Sequence, residues 1–250
     1  MVKIMENKKG ELTTTQLVTI IVLIVSFIII LFLIFRLNPG EQSNKEICHN
    51  SVVLRGNLVL RATSGGPLDC RTNYLCISGG DDCENLASAS KVEVNLNNKD
   101  SENEIIEAVA KEMADCWYMF GEGKVNYGEI GSSTIKYAIC SVVEFDEKIQ
   151  KKYPEITYAE FYDYLRKTQK QSSQSYLNYL YGVNDVNFVI VNSQFKINVN
   201  NDKIMTNEKY SIITGIDDNP IDSDIIFKVY IIPTSETSSR LDEGEFITKA

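Results

Sequence analysis

The chain is poor in the groups from which most hydrolytic and metal-dependent sites are made. Its 250 residues include one histidine, His49, so any Ser-His-Asp or Cys-His arrangement has only that ring to use. The patterns H-E-x-x-H and G-x-S-x-G are missing, and with them the local signatures of zincins and of the α/β-hydrolase nucleophile elbow. There is no C-x2-C pair, and Cys70, Cys76 and Cys83 are spaced C-x5-C-x6-C, unlike a structural zinc site. The glycine pair beside a lysine in FGEGK, residues 120–124, follows a predicted helix and not a strand. It therefore marks a helix end and turn, not a phosphate loop. No N-x-[ST] sequon occurs despite many asparagines, and no repeat of 20–50 residues is visible.

A surplus of positive charge is lacking as well. The chain has 25 Lys and Arg against 34 Asp and Glu. The first 36 residues account for Lys3, Lys8, Lys9, Arg36, Glu6 and Glu11, which leaves 21 basic and 32 acidic groups and a net charge near −11. Such a domain is repelled by phosphate backbones and anionic headgroups, so nucleic acid is not an expected partner.

One long apolar run is present. Leu17 to Phe35 is interrupted only by Thr19 and Ser26, whose hydroxyls can bond back to helix carbonyls. As a helix it is about 28 Å long, close to the thickness of a bilayer's hydrocarbon. Arg36 marks one interface, and Pro39-Gly40 stops the helix. Lysines 3, 8 and 9 bias the N-terminus to the cytoplasm and residues 41–250 to the outside of a cell membrane crossed once. The run is too long for a cleavable signal peptide and ends in Phe-Arg-Leu-Asn instead of a small-residue site. The lipid bilayer is thus the first expected partner. Self-association through this helix and contacts with other envelope proteins follow.

Lys9-Gly10-Glu11-Leu12, with basic residues before it and the apolar run behind, resembles the class III signal of archaeal pilins and related surface proteins. That resemblance implies cleavage after Gly10, a mature chain starting at Glu11, and a helix able to pack into a filament core. It differs from the bacterial prepilin pattern in carrying Thr15 where an acidic residue stands. ELTTTQLVTIIVLIV, KEICHNSVVLRG, YLCISGG, CWYMFGEGK and VYIIPTSE together resemble uncharacterised single-pass membrane proteins of small-genome archaea. This implies an envelope location and no transferable activity.

All six cysteines (Cys48, Cys70, Cys76, Cys83, Cys116 and Cys140) follow the apolar run. An even count on one side of a membrane helix points to an oxidising compartment and to disulfides. A Cys116–Cys140 bridge would tie a helix to the following strand. Residues 1–16 read as a cytoplasmic N-terminus, 17–36 as a transmembrane helix and 37–47 as a juxtamembrane linker. Residues 48–234 read as an ectodomain, and 235–250 as a flexible tail.

Within the ectodomain, SVVLRGNLVLRA (51–62) alternates around Gly56-Asn57 and predicts a hairpin or bent strand. Residues 63–90 predict a Ser-, Gly- and Asp-rich loop stapled by its cysteines, and KVEVNLN (91–97) a strand. Ser101 to Glu104 predict a capping box. Behind it Ile105, Ile106, Val109, Ala110, Met113, Ala114 and Trp117 form a helical stripe ending near Gly121. A strand over 137–145, a second capping box at Thr157 and Glu160, and a short helix SYLNYLY ending at Gly182 follow. Strands at 186–191, 195–199, 210–216 and 225–233 complete the pattern. The fold class is α+β: one N-terminal transmembrane helix and a largely antiparallel, disulfide-stapled ectodomain.

Few residues promise chemistry. Asp81-Asp82 and Asp217-Asp218 offer hard oxygen ligands for a calcium ion, but neither lies in an EF-hand-like run, so both are expected as solvated turns. His49 is expected as a solvated side chain near the linker. Seven of the 13 tyrosines fall between Tyr153 and Tyr181. Tyr158, Tyr162, Tyr176 and Tyr179 form either a recognition surface or the packed face of helices. No catalytic residue, cofactor or metal is expected. The expected role is an envelope interaction or assembly domain, with a pilin-like subunit or a membrane-tethered hydrolase as alternatives.

Overall fold

Residues 14–36, 40–57, 68–84, 86, 89–128, 135–187, 202–217, 225–237 and 244–248 are described by a computed structural model. The chain divides into two units, residues 1–43 and 44–250.

The first unit holds helix α1 (Thr14–Arg36). Its window Thr15–Phe32 is apolar and long enough to cross a membrane, and none of it is buried. Thr19 and Ser26 donate to the carbonyls of Thr15 and Val22, one turn back, which satisfies both hydroxyls without an outside partner.

The elements that follow are α2 (Gly40–Gly56), β1 (Asn73–Ser78), β2 (Ser90–Glu93), α3 (Ser101–Met119) and β3 (Ile135–Phe145). Next come α4 (Glu147–Lys152), β4 (Glu155–Thr157), α5 (Tyr158–Lys167), β5 (Gln169–Gln171), β6 (Gln174–Ser175) and α6 (Tyr176–Tyr181). Four strands end the described chain: β7 (Lys203–Met205), β8 (Tyr210–Asp217), β9 (Ile225–Pro233) and β10 (Gly244–Phe246).

The main sheet has the order β2-β1-β3-β8-β9, with β10 added on β3. It is mixed, and the largely antiparallel sheet expected from sequence is corrected. β1 runs parallel to both β2 and β3, and β10 is parallel to β3. β3–β8 and β8–β9 are antiparallel. α3 lies between β2 and β3 in sequence and carries the chain back across the sheet, so that β3 enters on the far side of β1, parallel to it. Because β8 occupies one edge of β3, β10 and β1 share the other: β10 pairs Ile135 to Tyr137 and β1 pairs Ser141 to Phe145.

Helix α3 covers this sheet. Its predicted stripe, Ile105 through Trp117, is buried throughout, as a 3.6-residue period demands. The helix start differs from expectation. Asp100 is the N-cap without a side-chain cap bond, Ser101 pairs with the Tyr153 hydroxyl, and Glu104 accepts from the Asn95 amide and Asn98. The second capping box forms as predicted between Thr157 and Glu160. The short helix α6 ends at Gly182 in the left-handed conformation, where glycine carries no Cβ penalty.

Three expectations near the cysteines and the tail are corrected. α2 begins inside the expected linker, and residues 51–56 are its last turns, not half of a hairpin; residues 58–67 lie outside the described residues. The period-2 look of SVVLRG is short, and the helix wins because it puts Cys48 and Val52, four residues apart, on one buried face. The expected loop 63–90 contains β1, an interior strand. The expected flexible tail contributes β10 to the sheet. Of the strand predicted at 186–191, Val186 and Asn187 are helical and 188–191 lie outside the described residues, as does the strand predicted at 195–199.

Candidate functional site

The carboxyl ends of β1 and β3 open onto the same side of the parallel pair, where ligand crevices of parallel sheets form. The turn after β1 supplies Asp81, Asp82 and Glu84, and the end of β3 supplies Glu144, Asp146 and Glu147. Glu208 and Lys209, just before β8, close the third side. Together they line a cavity of about 640 Å³.

Asp146 builds this end of the sheet. It is buried, and its Oδ1 accepts from the Ile149 amide at 2.9 Å, capping α4. Its Oδ2 accepts from the amides of Gly79 and Asp81, both at 2.8 Å, and from the Ser78 hydroxyl at 3.0 Å. Burial pushes the carboxyl up, but these four hydrogen bonds outweigh it and hold Asp146 below the usual aspartate value. One carboxylate thus ties the turn after β1 to the helix after β3. The bridge Cys76–Cys83 closes the same turn covalently.

The rim is acidic with cations laid across it. Lys148 lies 2.8 Å from Asp81, Lys91 3.0 Å from Asp82, and Lys209 3.4 Å from the buried Glu144. The Asp81 and Asp82 hydrogen bonds raise Lys148 and Lys91 respectively above the usual lysine value. A second cavity of about 340 Å³ adjoins at Glu208, with walls of Tyr158, Tyr210 and Pro233 and a rim of Asp202, Glu208, Glu236 and Lys203, the last paired with Glu155. Carboxylate rims around aromatic walls suit amines, guanidinium groups or other cations and repel phosphate. No group of three or more His, Cys, Asp or Glu able to hold a metal occurs among the described residues. Asp81-Asp82 are in this rim, while Asp217 ends β8 and Asp218 is outside the described residues.

The six cysteines stand at disulfide-bonding distance as three pairs, Cys48–Cys70, Cys76–Cys83 and Cys116–Cys140, with Cα separations of 4.5, 5.8 and 5.5 Å. The expected Cys116–Cys140 bridge links α3 to β3. His49 is partly buried and engaged. Its ring stacks on Tyr118 at 4.1 Å, and Nδ1 sits 2.7 Å from the Tyr118 carbonyl oxygen. With the cysteines paired and His49 so engaged, these residues assemble no Cys-His dyad. FGEGK forms the turn after α3, with Gly121 and Gly123 at positive φ. Gly10 and Glu11 lie outside the described residues.

The tyrosines resolve toward packing. Tyr158, Tyr162 and Tyr176 are 4%, 1% and 6% exposed, which fits the packed-face alternative at these positions. Tyr179 is half-buried, donating to Glu122 at 2.8 Å with Lys170 over its ring. Tyr158 and Tyr181 donate to the carbonyls of Ile231 and Val229 at 3.1 and 2.8 Å. Those carbonyls, two residues apart, point to one edge of β9, the last strand of the sheet order. The hydroxyls therefore occupy positions a foreign strand would need.

Sequence reasoning missed Asp146, Glu144, Glu208 and Lys209. Only Asp146 carried a local signal: an Asp before EKIQKK, acidic then basic, marks a helix start. Comparison of the chain with family models, with curated proteins and with solved structures finds no match.

Proposed function

We propose that the protein is a single-pass membrane-anchored module. In this reading its disulfide-bridged ectodomain faces the outside and takes part in envelope protein interaction or assembly. The observation that carries it is the unburied apolar window Thr15–Phe32 ahead of six cysteines that are all paired. A helix of this composition in water exposes a large apolar area, at a cost of about 25 cal/mol per Å², and lipid removes that cost. Paired cysteines suit an oxidising compartment. The acidic cavity at the ends of β1 and β3 then serves as the contact for cationic groups of a partner protein.

The test uses the full chain expressed in cells. Membranes washed with alkaline carbonate should retain it, and external protease should reach the ectodomain in intact cells stripped of their outer layers. Release by carbonate, or digestion only after permeabilisation, would overturn the proposal. Intact mass of the purified chain decides between an uncleaved anchor and a pilin-like subunit, which begins at Glu11.

A further inference from the structure

We propose that the outward face of α2, carrying Ile47, Val53 and Leu54, rests on the lipid bilayer as an interfacial helix, given a chain anchored as proposed above. Outside α1, the large hydrophobic side chains exposed by more than a third among the described residues are Ile47, Val53, Leu54, Val92 and Phe246. Three of these five lie on one helix. Ile47 and Leu54 are seven residues apart and share a face. Val53 lies about 100° further round, next to Glu46, with the exposed Asn50 between, so the outward side is apolar at its Ile47–Leu54 edge and polar at its middle, as at a headgroup boundary.

The opposite face of α2 is committed. Cys48 is bridged to Cys70, and Val52 is fully buried. Lys45, on the same side, pairs with Asp115 at 2.7 Å and Glu112 at 3.5 Å. The helix cannot turn to bury Ile47 and Leu54 without breaking a covalent bridge and these ion pairs. Their exposure is therefore built into the fold.

Two observations select lipid as the occupant. The first is position: Gly40 follows the end of the apolar window at Phe32 by eight residues, so α2 is the first ectodomain element the chain forms on leaving the bilayer. The second is charge. The formal charges of α2 (Glu41, Lys45, Glu46 and Arg55) cancel, whereas the ectodomain as a whole is near −11. A second copy on this face would bring two strongly acidic domains together, and an uncharged lipid surface brings no such repulsion. An apolar helix face of this kind settles about 5–10 Å into the boundary between headgroups and acyl chains.

The test introduces tryptophan by Leu54→Trp and Ile47→Trp into the full chain, reconstituted in phosphatidylcholine vesicles whose acyl chains carry bromine near the headgroup. The one native tryptophan, Trp117, is buried, so the unsubstituted chain gives the background, and Val92→Trp on β2 is the exposed control. Bromine should quench the emission at 47 and 54 severalfold more than at 92, with a blue shift in unbrominated vesicles. Equal quenching at 47, 54 and 92 in protein that floats with the vesicles would overturn the interfacial helix and leave the anchor standing. A blue shift without bromine quenching that grows with protein-to-lipid ratio would place a second copy on the face and also overturn it. Protein that does not float with vesicles would overturn the anchor, and the interfacial helix with it. An unchanged non-reducing mass and the native Trp117 emission confirm that each variant is folded.

Discussion

Replacing Asp146 should separate the two elements it joins, and the cost can be worked from its four hydrogen bonds. Asp146→Ala removes the α4 cap, which contributes about 1 kcal/mol. It also strips a charged acceptor from the amides of Gly79 and Asp81, each bond contributing about 1.5–3 kcal/mol, whereas the Ser78 hydroxyl keeps the Asp81 carbonyl as acceptor at 2.5 Å. Gly79 and Asp81 are only half-buried, so water recovers part of that, and the net loss should be about 4 kcal/mol, or roughly 10 °C in Tm for a domain of this size. Asp146→Asn keeps one acceptor oxygen, which can serve the cap or the turn but not both, and should lose about half as much. The Asp146 carboxyl is depressed in the folded state. Its contribution is therefore complete above the ordinary aspartate value near 3.9 and is lost as pH falls through the lower folded value. Urea unfolding of the full chain in detergent, followed by Trp117 emission, should show a constant gap between the native chain and Asp146→Asn from neutral pH down to about 5, closing below about 4. A loss under about 1 kcal/mol for Asp146→Ala, or a gap that widens with acid, would refute this account.

Tyr181→Phe leaves the Val229 carbonyl without its hydroxyl and should cost about 1–2 kcal/mol, with faster hydrogen exchange in β9. Unchanged exchange there would mean the hydroxyl does not guard that edge. Removing both Cys116 and Cys140 by alanine substitution opens a loop of 24 residues and should lower the unfolding free energy by about 3 kcal/mol, read by urea titration under non-reducing conditions. Gly182 and Gly123 both have positive φ, but a Cβ meets open space at Gly182 and lies 2.8 Å from the Trp117 ring at Gly123. Gly182→Ala should therefore cost about 1 kcal/mol and leave Trp117 emission alone, while Gly123→Ala should cost more and shift it.

Elements with a long, regular period were legible in the sequence, and those defined by their neighbours were not. The α3 stripe needs only its own spacing to be recognised, and IIFKVYIIP and YSIITGI are apolar enough to require a sheet. β1 was hidden because NYLCIS sits among serines, glycines and aspartates, and as an interior strand it shows no alternation: its last four residues are all buried. β10 spans three residues and exists only because β3 is longer than β1 and leaves an open stretch of edge. The acidic cavity was invisible for a related reason. Asp81 and Glu208 come from turns and Glu144 from the end of a strand, far apart in the chain, and only the strand order brings them together. The tyrosines were ambiguous in principle, since a helix face shows the same spacing toward a partner or toward its own sheet.

The bridges are also a statement about order in time. Cys48 joins Cys70, Cys76 joins Cys83, and Cys116 joins Cys140. Each cysteine is bonded to its neighbour in sequence, and no bridge encloses or crosses another, although six cysteines admit many other pairings. An oxidant that meets the chain as it emerges N-terminus first joins each thiol to the next one to appear, and that sequence of events yields the native set. Correct oxidation of this domain is thus compatible with the direction of synthesis and needs no reshuffling after the last cysteine is exposed.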